Sequence, residues 1–144
     1  MSAAVAQAAA PRTREELLER DRMGTLSRYT AEQQAAALLI YKLVKRCPDT
    51  GGGIRAAKFL LGLYNGPRFP FDLTDLRCFD PSTFQAAMVV LRMDAEHTYC
   101  EIHVLLNAIL GPSANVGAEL EHWAYDIGLK GCCKKSQLPE LRRA

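Results

Sequence analysis

The sequence predicts an all-α protein, a compact bundle of about six helices. Apolar residues recur at helical spacing along most of the chain, and no segment shows the sustained alternation of apolar and polar residues that is typical of strands. With 144 residues, 49% of them hydrophobic and 24% charged, the chain has the length and composition of one globular domain. We expect this domain at residues 13–129, between a flexible leader at residues 1–12 and a basic tail at residues 130–144.

Helix-capping residues precede the apolar segments, and Gly or Pro follows them. Thr13 with Glu16, and Thr30 with Gln33, have the spacing of capping boxes, and Thr98 with Glu101 repeats it. Six helices are therefore predicted. The first four lie at residues 14–23, where Gly24 ends the helix, and at residues 31–46, 54–64 and 81–93. The fifth lies between Thr98 and Gly111, and the sixth lies between Asn115 and Gly128.

Three consecutive glycines lie at residues 51–53, before the third predicted helix. Neither GxxxxGK[ST] nor GxGxxG is present, and no strand precedes the run, so a phosphate-binding loop is disfavoured. We interpret the run as a hinge between two helices.

The cysteines and the termini indicate the compartment. The five cysteines are scattered without a Cys-x-x-Cys spacing, which is unlike a disulfide framework and favours a reducing environment. The alanine-rich start lacks the basic residues of a signal peptide, and no stretch approaches the roughly 20 apolar residues that a membrane helix needs. We therefore expect a cytoplasmic protein that has no membrane partner.

Charge is segregated along the chain, although the formal net charge is only +2. Residues 93–129 contain six carboxylates and no Lys or Arg, whereas basic residues exceed acidic ones on both sides of this segment. The segment is interpreted either as a solvated acidic face or as a surface that meets a basic partner. The candidate partner-binding residues are Glu96, Glu101, Glu119, Glu121, His122 and Asp126.

The last predicted helix has an apolar stripe with Trp123 at its centre, which we expect to lie in the core. Glu119, His122 and Asp126 are spaced three and four residues apart, so they form one polar face opposite the stripe. An ordinary solvated face and a line of negative charge that competes for a nucleic-acid-binding groove both fit this spacing.

Metal binding and catalysis have no specific signature. His97, Cys100 and His103 are metal-ligand types, but steps of three residues drift around a helix, which separates the two histidines by roughly 120°. No local pattern pairs a cysteine with an activating histidine. We therefore assign no catalytic residue, no metal ligand and no cofactor.

A short motif resembles a known family. Residues 59–65 read FLLGLYN, residues 71–76 read FDLTDL, and Asp80 follows. This pattern is similar to a family of small uncharacterised proteins carried on bacterial integrative elements and plasmids, and the resemblance covers residues 50–92. We expect the motif to be structural, with Asp72 capping a turn, Phe71 fixing it to the core, and Leu73 and Leu76 buried beneath it. The structural motif residues are Phe71, Asp72, Leu73, Asp75 and Leu76.

The resemblance implies a genomic context and no catalytic residues. Small non-enzymatic proteins of mobile elements often disable host defences, including CRISPR effectors, which hold RNA and DNA in basic channels. The most concrete expectation is therefore an anti-CRISPR-type inhibitor whose acidic face binds a multisubunit RNA-guided complex.

Two alternatives to this inhibitor stay open. The basic tail, with Lys134 and Lys135, suits a small DNA-binding regulator of the element, and the second alternative is an uncharacterised enzyme.

Overall fold

The computed structural model describes residue 10 and residues 13–129 of the chain. Across these residues it contains six α-helices and one short 3₁₀ helix, and no strand, which confirms the all-α prediction. The predicted leader, apart from residue 10, and the predicted basic tail lie outside the described residues. The elements are α1 (Arg14–Leu26), α2 (Ala31–Arg46), α3 (Gly51–Tyr64), the 3₁₀ helix (Leu73–Cys78), α4 (Pro81–Glu96), α5 (Ile102–Leu110) and α6 (Val116–Asp126).

Helix α2 lies at the centre of the bundle and packs against α3, α4 and α5. Helix α6 packs on α3 and α5, whereas α1 packs mainly on α5. The core between these helices is formed by fully buried side chains such as Ile40, Phe59, Leu60, Val90 and Leu106. Each buried side chain of this size contributes roughly 1.5–3 kcal/mol of hydrophobic stabilisation.

Most of the predicted helix starts are confirmed. Thr13 and Thr30 both form complete capping boxes, with the side chains of Glu16 and Gln33 accepting from the cap backbone. The third box is wrong, because Glu101 is the N-cap of α5 and makes no side-chain cap bond. The Thr98 hydroxyl instead donates to the Asp94 carbonyl in the last turn of α4, where helix carbonyls lack partners in the helix itself.

Two of the predictions that rest on glycines are wrong, those for Gly24 and for residues 51–53, whereas α5 does end before Gly111 and α6 before Gly128. Helix α1 runs through Gly24 and ends at Leu26, and residues 51–53 form the first turn of α3 rather than a hinge. The Thr50 hydroxyl caps this turn by accepting from the Gly53 N–H at 3.1 Å. A Cβ atom at Gly53 would lie 1.8 Å from the Cys47 carbonyl oxygen, so glycine is required here for close packing.

Asp72 and Phe71 of the FDLTDL motif make the contacts that the prediction gives them, Leu76 is only partly buried, and Leu73 is placed differently. The Asp72 carboxylate accepts from the Thr74 hydroxyl and N–H at 2.7 and 2.8 Å, which lowers the pKa of Asp72. The Phe71 ring meets Phe59 edge-to-face, and Leu76 packs partly against the core. Leu73 is 73% exposed, so the expectation that it is buried is wrong; it lies in the first turn of a 3₁₀ helix that has no buried residue.

None of the helices in the described part of the chain has the length and apolar character needed to cross a membrane.

Candidate protein-interaction site

Glu121 does not belong to an exposed acidic face. Its side chain is completely buried on α6, among Gly117, Leu120 and Ala124, which are themselves buried. The prediction that Glu121 contacts a partner from the surface is therefore wrong. The physical reason is its position: Glu121 lies four residues after Gly117 and three before Ala124, which places it on the helix face that points into the bundle.

A bidentate ion pair compensates the buried Glu121 carboxylate. Arg68 donates from both terminal guanidinium nitrogens to the two Glu121 oxygens, each at 2.7 Å, and the Tyr64 hydroxyl donates to the same carboxylate at 3.0 Å. The hydrogen bonds to Glu121 raise the pKa of Arg68. Burial raises the pKa of Tyr64, and the hydrogen bond to Glu121 raises it further by a smaller amount. This cluster joins α6 to the end of α3 and the loop after it.

Glu119 is only partly available at the surface. Its carboxylate accepts from the Tyr41 hydroxyl, 2.9 Å from each oxygen, and from the Lys45 ammonium at 3.0 Å. Burial, followed by the hydrogen bond to Glu119, raises the pKa of Tyr41. The Tyr41 ring also lies 5.6 Å from the half-buried ring of Trp123, so Glu119 is engaged in joining α2 to α6.

The other four candidate residues are at least partly accessible. Glu96, Glu101 and Asp126 are exposed, and His122 is half-buried. Glu96 pairs with Arg92 one helical turn away at 3.0 Å, in a contact where both side chains remain largely in solvent. Four of the six candidate residues predicted from the sequence are therefore accessible to a partner.

The three metal-ligand types of the sequence pattern are separated by the fold. His97 is exposed and stacks on Tyr99, Cys100 lies 3.3 Å from the Tyr29 hydroxyl, and the His103 ring packs edge-on against Tyr64. Among the described residues, no three His, Cys, Asp or Glu side chains are grouped so that they could hold a metal ion.

The structure also contains a surface that sequence reasoning missed, an open groove of about 620 Å³ between α1 and α5. We call it the α1–α5 groove. The available signal in the sequence was the Leu17-Leu18 pair in a helix without a regular apolar stripe. The groove is lined by Glu15, Leu18, Glu19, Asp21, Arg22, Thr25, Val104, Asn107, Ala108, Gly111, Pro112 and Ala114.

Comparison with known proteins assigns a family. A family model described as a family of unknown function, DUF7673, matches residues 33–123, which is more than half of the chain. The chain belongs to the DUF7673 family. Neither a curated protein nor a solved structure matches this DUF7673 chain.

The residues matched by the family model include the whole of one feature described above and only part of another. The buried cluster of Tyr64, Arg68 and Glu121 lies inside the residues that match DUF7673. The α1–α5 groove lies partly outside, because α1 precedes the matched residues and α5 lies within them.

Proposed function

We propose that this DUF7673 protein is a non-enzymatic accessory protein that binds a basic protein partner through exposed carboxylates. One observation supports this proposal: a segment of six carboxylates without any Lys or Arg presents Glu96, Glu101 and Asp126 at the surface. Glu119 and Glu121 are neutralised by Lys45 and Arg68, so the proposed binding set is narrower than the one drawn from sequence.

The most concrete form of this function is inhibition of a multisubunit RNA-guided effector complex in the bacterial cytoplasm. Such complexes hold nucleic acid in basic channels, which attract a compact protein with exposed carboxylates. The resemblance of the 59–80 region to proteins of integrative elements supports the same context, because mobile elements are targets of these defences.

The test measures association between the full-length chain and a purified multisubunit RNA-guided complex. A Glu101→Lys/Asp126→Lys variant should associate about tenfold more slowly, because attraction is replaced by repulsion. A Glu32→Lys/Asp49→Lys variant carries the same charge change at exposed positions outside the acidic segment and should bind nearly as well as the wild type. Circular dichroism and unfolding curves must first show that both variants are folded.

Raising the salt concentration should weaken the wild-type complex, since screening limits the reach of exposed charges to about 8 Å at physiological ionic strength. A phage plating assay in a host with an active RNA-guided system provides the functional readout. The absence of both binding and inhibition would refute the RNA-guided complex as the partner. Salt-dependent binding to duplex DNA would favour a DNA-binding regulator instead.

A further inference from the structure

We propose that the α1–α5 groove is a docking site for an amphipathic helix of a partner protein whose flanks carry Lys or Arg. The site is separate from the carboxylates of Glu96, Glu101 and Asp126, none of which lines the groove. The inference therefore stands whether or not an RNA-guided complex is the partner, and it extends the function to a second surface with a defined occupant.

The floor of the groove is apolar and accessible. Leu18 on α1 is 53% exposed and Val104 on α5 is 39% exposed, and the exposed Pro112 lines the same groove, while Ala108 also lines it but is buried. Helix α1 has no buried residue at all, which distinguishes it from every other α-helix of the bundle. Covering Leu18 and Val104 with an apolar partner surface would remove both from water, which is the main favourable contribution to such association.

The shape of the groove fits a helix. The Arg22 guanidinium donates to the Ala108 carbonyl at 2.8 Å, while Tyr29, just after α1, contacts Cys100, just before α5, so the two helices run antiparallel. On α1 the lining extends from Glu15 to Thr25, about 15 Å at the rise of an α-helix. Two antiparallel helices with an open groove of this length between them offer the surface on which a third helix of about three turns packs.

The charge at the rim selects a basic partner. Three carboxylates and one guanidinium line the groove, and Arg22 is already paired with Glu19 at 2.7 Å. Glu15 and Asp21 are both exposed and leave the rim with negative charge. A docked helix would therefore place Leu, Ile or Met side chains against Leu18 and Val104, with Lys or Arg on its flanks near these two carboxylates.

The probe for the test is a synthetic 18-residue peptide with leucines at helical spacing and lysines on both flanks. Its binding to the full-length chain is measured by fluorescence anisotropy, beside an acidic version with glutamates in place of the lysines and a scrambled version. We expect the basic peptide to bind at least about tenfold more tightly than either control, because both the apolar stripe and the charge are needed.

Two matched variants locate the binding site. Leu18→Gln should weaken peptide binding by about tenfold, as loss of an interface anchor does. Leu17→Gln changes a leucine of similar exposure, 47% against 53%, that does not line the groove, and it should leave binding within about twofold of the wild type. Glu15→Lys/Asp21→Lys should weaken the basic peptide and strengthen the acidic one.

Three results would overturn the proposal. The first is equal weakening by Leu17→Gln and Leu18→Gln, and the second is an absence of binding by the basic peptide. The third is a concentration-dependent dimer in sedimentation experiments that Leu18→Gln abolishes, because a second copy of the chain would then occupy the groove. Failure of the acidic-segment variants with the RNA-guided complex would leave these peptide measurements unaffected, so the two proposals fail separately.

Discussion

Helices α6 and α1 place charged and apolar side chains in opposite environments. Helix α6 turns a carboxylate into the core, where Glu121 is completely buried and held by Arg68 and Tyr64. Helix α1 leaves leucines in solvent, with Leu17 and Leu18 about half exposed and no residue buried. In one helix a charge is structural, and in the other apolar side chains remain available for contact.

The contrast shows that residue type alone does not separate the surface from the core in this bundle. A buried carboxylate is tolerated only where a well-placed cation and further hydrogen bonds compensate its lost hydration, and Arg68 with Tyr64 supplies both. Half-exposed leucines are common singly on protein surfaces, but Leu18 and Val104 lie on the two sides of one groove, so a single partner could cover both.

The largest expected effect is on the α6 side. Arg68→Ala removes the cation from a buried pair and should lower the free energy of unfolding by about 3–5 kcal/mol, because the Glu121 carboxylate loses its compensating charge. Urea unfolding monitored by circular dichroism measures the loss. Arg92→Ala removes the cation of the exposed pair with Glu96 and should cost no more than about 0.5 kcal/mol.

A double variant tests whether Arg68 stabilises the fold by compensating the buried Glu121 charge. Arg68→Met/Glu121→Leu replaces the pair by apolar side chains and should recover most of the stability that Arg68→Ala loses. A loss below about 1 kcal/mol for Arg68→Ala would contradict the assignment of Glu121 as a buried, ion-paired residue.

The second effect, also on α6, concerns Trp123. Its ring is half-buried and packs on Tyr41 at 5.6 Å, so Trp123→Ala should cost about 2 kcal/mol, less than the roughly 3–5 kcal/mol of a fully buried tryptophan. Leu18→Ala, on the exposed side of α1, should cost below about 0.5 kcal/mol in the same unfolding assay. If both substitutions cost the same, the contrast between the two helices is wrong.

The sequence predicts the number of α-helices and several of their bounds, and it names four candidate residues that are accessible in the structure. Local signals such as the Thr30 capping box and the Asp80-Pro81 start lie next to the element they define, which is why α2 was predicted with its observed bounds and α4 with its observed start. The pairing of Glu121 with Arg68 joins residues 53 positions apart, and no local pattern shows that a loop arginine reaches the core. The α1–α5 groove is a product of packing between helices that are distant in sequence, so periodicity within either helix does not reveal it.

A smaller effect concerns the contact by which Arg22 holds α1 against α5. Arg22 connects α1 to α5 through the Ala108 carbonyl, and its side chain is only 26% exposed. Arg22→Ala should destabilise the docking of α1 locally, so that the amide hydrogens of α1 exchange about fivefold faster while those of α3 and α6 are unchanged. Hydrogen exchange followed by mass spectrometry measures the exchange rates of α1, α3 and α6 in one experiment. Faster exchange in α6 as well would mean that α1 is an integral part of the core.

The smallest effect concerns Asp94, a half-buried carboxylate that, unlike Glu121, faces a like charge. Burial, and then repulsion from Glu101, raises the pKa of Asp94, and its place in the last turn of α4 is unfavourable for an anion. A carboxyl whose pKa is higher in the folded state than in the unfolded state makes the protein less stable as pH rises through that range. Because Asp94 is partly in solvent, screening reduces the effect, and Asp94→Asn should gain no more than about 0.5 kcal/mol near pH 7 and nothing near pH 3, where the carboxyl is protonated in both states. Glu101→Gln, which removes only the repulsion, should give a smaller gain with the same pH dependence in urea unfolding. An equal gain for Asp94→Asn at both pH values would show that the effect comes from helix propensity and not from the charge.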